Sequence, residues 1–285
     1  MRITRTGTYM MTGIAVALFV LMSLVFDTLT RFELSGPWFS QTNERGETSF
    51  IDGVFWTYLF IGLIVAAGAI QARRIPDEGV DLSLGRETDT PGQIQDPSWW
   101  RLLLGNSYLA ILWLPLRFYL GREWLAAGHH KLQSDAWMSG GEGLKGYWTG
   151  ALQGGPEGSS RAAYGWYHDF LQYMMDHEWY TWFAKLIAVG EFLVGIGLIV
   201  GALVGIAAFF GTLMNVSFML AGTISSNPVM FALTVFLVLG WKVAGWWGLD
   251  RYLLPMLGTP WNRGEALGGK RDATPTPTNR PHKFA

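Results

Sequence analysis

The stretch RFYLGREWLAAGHHKL, Arg117 to Leu132, gathers two arginines, a glutamate, two histidines and a lysine into sixteen positions. It follows LLLGNSYLAILWLPL, an apolar run suited to a bilayer or a protein core. Arg117, Gly121, Trp124, Gly128 and Lys131 recur at spacings of four, three, four and three, which places them on one stripe of a helix. Arg117 falls near the middle of the apolar segment. An ionised side chain there costs about 2.5–3.5 kcal/mol on insertion scales and needs an acceptor. Arg122, Glu123, His129, His130 and Lys131 fall at or beyond the segment's outer end, where long stems reach water. Guanidinium and ammonium groups bind oxyanions well. Arg122, His129, His130 and Lys131 are therefore candidate binding residues for an anionic substrate. Adjacent histidines do not share a helix face, and no carboxylate or cysteine spacing accompanies them, so no metal site is assigned.

Two later segments offer Arg117 a partner. In AKLIAVGEFLVGIGLIVGA, Ala184, Ala188, Glu191, Gly195 and Ala202 share a stripe of mostly small residues. Small residues let helices approach closely, so Glu191 is expected to point into a bundle. Gly205, Ala208, Thr212, Asn215 and Gly222 form a similar face on the next segment. Arg117, Glu191 and Asn215 are thus expected to meet, with Arg117 and Glu191 in direct contact and the amide alongside. They are the catalytic candidates. Two readings stay open: a structural ion pair that fixes helix register, or a ligand, quinone or proton site.

The elements that must position these residues follow from composition. Half of the 285 residues are hydrophobic and 15% are charged, against about 25% charged in soluble domains. A net charge of −1 offers no bulk attraction for nucleic acid. With no cysteine, disulfides, thiol relays and thiolate-bound metal clusters are excluded. Apolar runs of the length needed to cross a bilayer, about 20 residues, occur at about 8–26, 53–70, 102–127, 181–200, 203–222 and 228–248. The expectation is an all-α membrane protein with six transmembrane helices: two N-terminal ones (1–75), a polar linker (76–101), a four-helix unit (102–255) and a disordered tail (256–285).

Lysine and arginine number twelve in the N-terminus, linker and tail, and five in the opposite loops. That bias places both termini in the cytoplasm, as a multi-pass inner-membrane protein, and turns the loop 127–180 outward. The loop is aromatic-rich, which a disordered segment is not. It is expected to cover the outer mouth of the bundle, with 162–176 as an interfacial amphipathic helix.

Over 102–255 the chain resembles the DoxX/DoxD membrane family, which includes the membrane subunit of thiosulfate:quinone oxidoreductase. The resemblance lies in Arg117, Gly121, Gly128 and Lys131 of RFYLGREWLAAGHHKL, in Gly190, Glu191, Gly195 and Gly201, and in Leu249 and Asp250 of GWWGLDRYLLP. It implies a four-helix bundle, with 1–75 as an addition, acting as the membrane subunit of a quinone-linked redox complex. A quinone would be the electron acceptor, and a second redox subunit or further copies of the chain would be the partners, beside the lipid bilayer. The alternative is a scaffold or accessory subunit without chemistry.

Overall fold

The computed structural model describes residues 2–26, 34–39, 41–42, 48–49, 51, 53–82 and 96–258. Most of the polar linker (83–95) and of the tail (259–285) lies outside the described residues. The described chain is all-α, with twelve α-helices and two antiparallel pairs of short strands. One pair, β1 (Arg2–Ile3) with β4 (Val80–Asp81), ties the N-terminus to the chain after the second helix. The other joins β2 (Gln41–Thr42) to β3 (Thr48–Ser49).

Three helices are long and apolar enough to cross a membrane: α1 (Arg5–Phe26), α2 (Val54–Arg74) and α8 (Tyr180–Val200). Two shorter apolar helices follow, α9 (Val204–Leu220) and α10 (Asn227–Leu239). Exposed leucine, isoleucine and phenylalanine cover these helices, as expected where lipid replaces water. The chain is a membrane protein of the all-α class.

Two of the six expected segments are drawn differently. The segment 102–127 is broken. Helix α3 (Ser98–Gly105) ends at Asn106, whose side chain accepts from the Tyr108 N–H. A 3-10 turn (Ser107–Trp113) then leads into α4 (Leu114–Gln133). The segment 228–248 also breaks, at Gly240, into α10 and the one-turn α11 (Trp241–Ala244), before α12 (Asp250–Leu257).

Helix α4 is the centre of the bundle. It buries all of 117–126, so it needs no uniformly apolar surface. Its glycine stripe lies on α8. A Cβ at Gly128 would overlap the backbone of Phe192, and one at Gly195 would overlap the backbone of Leu125, so the two helices touch main chain to main chain. The N-terminal pair also packs on α4: Phe60 of α2 stacks on Phe118 at 4.8 Å, and Phe19 of α1 meets Phe60 edge-on at 5.9 Å.

Residues 127–180 are folded. After α4 come α5 (Asp135–Met138), α6 (Glu142–Gln153) and α7 (Gly165–Asp176). Leu144, Trp148, Leu152, Tyr167, Leu171 and Met174 form their own core against Tyr180, Ala184 and Ala221. This cap also donates hydrogen bonds to carbonyls at the end of α9. Tyr167 Oη donates to Ser217 O at 3.0 Å and Ala163 N to Leu220 O at 2.8 Å. One face of α7 stays open, with Tyr164, Trp166, Phe170 and Tyr173 exposed.

Candidate functional site

The structure separates the residues expected to meet. Arg117 does not touch Glu191. Its guanidinium is fully buried and donates to four backbone carbonyls: Leu198 (2.9 Å), Ile199 (3.0 Å), Ala244 (3.1 Å) and Trp247 (3.2 Å). Leu198 and Ile199 lie in the last turn of α8, where carbonyls have no helical partner and the helix dipole is negative. Arg117 is therefore a C-terminal cap for α8, supplied by α4.

Asp250 mirrors it at the start of α9. Its carboxylate accepts from Leu203 N at 2.5 Å and Val204 N at 2.9 Å, the first amides of that helix. Burial holds this carboxyl above the usual aspartate range despite the two amide bonds. Gly201, at φ 72°, makes the turn between the two helices. Arg117 and Asp250 together clamp the α8–α9 hairpin, which gives two of the motif residues a structural role.

Arg122 is likewise no part of a surface vestibule. It is 3% exposed, with its guanidinium toward Ile51 O (3.3 and 3.2 Å) and Thr57 Oγ1 (3.3 Å), beside the wholly buried Glu123. It anchors the start of α2 to α4. His129 and His130 are half-buried with rings 6.4 Å apart, and Lys131 is engaged elsewhere. The expected cluster of Arg122, His129, His130 and Lys131 is not assembled. The helix turns Arg122 one way and Lys131 another, because nine residues are not a whole number of helical turns.

Glu191 has Lys131 as its partner. Lys131 Nζ lies 2.5 Å from Glu191 Oε2, with the carboxylate 1% exposed and the lysine 21% exposed. The pair faces a chamber of about 250 Å³ at the capped end of the bundle. Trp124 of α4, Trp137 of α5, Tyr147 of α6 and Phe218 of α9 supply its aromatic walls. The turn before α10 supplies Thr223, Ser225 and Ser226, and the first residue of α10 supplies Asn227. Lys131 Nζ also sits over the Trp137 ring, 5.1 Å from its centroid. Tyr147 Oη is 2.9 Å from Thr223 Oγ1, and burial pushes its phenol up to about 12. Ser225 holds a left-handed backbone at φ 35°. Such strain costs about 1–3 kcal/mol and clusters where ligands bind.

Two buried polar groups in or next to this region have no hydrogen-bond partner among the described residues. One is the indole N–H of Trp124, itself a chamber wall. The other is the side-chain amide of Asn215, fully buried, with both its nitrogen and its oxygen unpartnered. Gly211, one turn before Asn215 on the same face of α9, lies against the Trp124 indole nitrogen. A buried polar group left unpaired costs about 1–3 kcal/mol and calls for a reason.

Of the sequence candidates, Lys131 and Glu191 come together in the chamber, while Arg117 and Arg122 lie apart from it. The sequence reading missed Trp137, Tyr147, Thr223 and residues 225–227. They come from separate elements, and the available signals were only the loop's aromatic density and the polar run TISSN. Comparison with family models, with curated proteins and with solved structures finds no match to this chain in any of the three.

Proposed function

We propose that the chamber binds the ring of a membrane quinone and that the chain is a DoxX/DoxD-like membrane subunit of a quinone-linked redox complex. One observation carries the reading: an ion pair and a phenol line an aromatic-walled chamber sized for a single ring. Reduction of a quinone places charge on its oxygens and takes up protons. Lys131 and Tyr147 are donors suited to those oxygens, and Glu191 is a carboxylate within reach of Lys131. Trp124 and Trp137 offer faces on which a flat ring can stack. With no cysteine in this chain for a sulfur adduct, the electrons come by direct transfer or from a cofactor of a partner subunit. The lysine and arginine bias further supports cytoplasmic termini in the inner membrane, with the cap outward.

The test is purification from native membrane followed by extraction of bound lipid. Quinone is expected with the wild type and depleted in Glu191→Gln and Trp124→Ala. Equal quinone in all three, or none in the wild type, defeats the reading. A non-catalytic scaffold is the second reading. It is favoured by the commitment of Arg117, Arg122 and Asp250 to backbone groups.

A further inference from the structure

Phe218 also lines a second cavity. A groove of about 670 Å³ runs along the α8–α9 hairpin, and Phe218 lines both it and the chamber. Gly190, in the groove, directly precedes Glu191, in the chamber. Leu186, Leu193, Ile206, Phe210 and Leu213 form its rims and are exposed, so the groove opens sideways toward lipid. Ser217 is the only hydroxyl residue among those lining it. From Phe183 to Gly197 its α8 wall rises fourteen residues, about 21 Å at 1.5 Å per residue.

An apolar groove in a membrane protein is covered by acyl chains by default. This one differs in sharing Phe218 with a polar, aromatic chamber that can hold a ring, and in lying one residue along α8 from Glu191 of that chamber. We infer that the groove holds the apolar chain of the molecule whose ring occupies the chamber. The ligand is then a long-chain quinone that enters sideways from the bilayer, and not a water-soluble molecule that enters through the cap. The inference rests on the quinone reading of the chamber and adds the substrate's second half. It also fits the loss of the anion vestibule, because no cationic cluster of Arg122 and Lys131 guards an aqueous entrance.

The test uses the full chain in lipid nanodiscs and two benzoquinone probes with the same ring, one without a tail and one with a decyl chain. Empty nanodiscs correct for partition into lipid. The decyl probe is expected to bind wild type about tenfold or more tighter than the tail-less probe. Gly190→Leu should abolish that preference and leave the tail-less affinity unchanged. A Cβ at Gly190 meets only Met214 Sδ, at 3.8 Å, so the added side chain has room to enter the groove. Gly62→Leu on α2, where a Cβ meets nothing within 4 Å, is the control and should change neither affinity. A decyl probe with a diazirine at the chain end should label α8 and α9 of the wild type, which decides the matter even if Gly190→Leu does not fold. Equal affinity for the two probes, a preference that survives Gly190→Leu, or labelling confined to α1 and α2 overturns the groove assignment and leaves the chamber reading standing. Binding of neither probe by wild type overturns the chamber reading and the groove with it.

Discussion

Replacing Lys131 takes away the ion-pair partner of a carboxylate that is 1% exposed. At the 2.5 Å separation of the pair, Coulomb attraction at an effective dielectric of 20 is about 6–7 kcal/mol. Desolvating the two charges costs several kcal/mol each. The intact pair is therefore near balance, whereas Glu191 alone keeps its desolvation cost with little to offset it. Lys131→Met should cost about 3–5 kcal/mol. Glu191→Gln should cost less, because Lys131 is 21% exposed and its stem can carry the ammonium to water. The double variant Lys131→Met/Glu191→Met removes both charges and should return to within about 1–2 kcal/mol of wild type. Thermal unfolding of the four proteins in detergent, as a double-mutant cycle, gives the coupling directly. Losses that simply add, or a Lys131→Met no worse than the control Lys242→Ala at an exposed lysine of α11, would refute the argument that the pair is desolvated and mutually dependent.

Arg117→Lys should cost at least about 3 kcal/mol, because an ammonium cannot reach four carbonyls spread over two segments; detergent melting should show a larger loss than for Lys242→Ala. Gly128→Ala should separate α4 from α8, since its methyl meets the Phe192 main chain, and should lower the melting point where Gly62→Ala does not. The Tyr147 phenol lies at about 12 in the folded protein, against an ordinary value of 10.0. Its contribution is complete below about pH 10 and is lost as pH rises through about 12, amounting to as much as roughly 2–3 kcal/mol. Tyrosinate absorbance should show a late-titrating phenol that Tyr147→Phe removes, and the variant's alkaline loss of stability should be shallower.

What was legible in the sequence was what hydropathy reads. The spans at 8–26, 53–70, 181–200 and 203–222 overlie α1, α2, α8 and α9 closely, because each has one face toward lipid and so carries an apolar surface. The span 102–127 was misdrawn because hydropathy averages across Asn106, where a side chain captures a backbone amide and the helix breaks. The close contact of α4 with α8 was legible in the small residues Gly121, Gly128 and Gly195. The pairing of Arg117 was not. Depth and charge pointed to Glu191, but the carbonyls at the end of α8 are also strong acceptors, and they occur in every helix whatever its side chains.

The polar load of 117–132 therefore divides by partner, and that division says where function should lie. Arg117 and Asp250 are satisfied by backbone groups whose positions are fixed by the helices they cap. Exchanging those bonds for a ligand would undo the α8–α9 hairpin, so these two charges serve the fold. Lys131 and Glu191 are satisfied by one another at the wall of a chamber. A side-chain pair of that kind can turn to a ligand without disturbing any helix end, and the unpartnered indole of Trp124 stands at the same wall. Changes at Arg117 or Asp250 should accordingly act on stability, with any loss of binding following the unfolded fraction. Conservative changes at Glu191 or Trp124 should reduce quinone binding in protein that still melts as a folded species. If binding tracked stability alone across all four positions, the chamber would have no role of its own and the scaffold reading would follow.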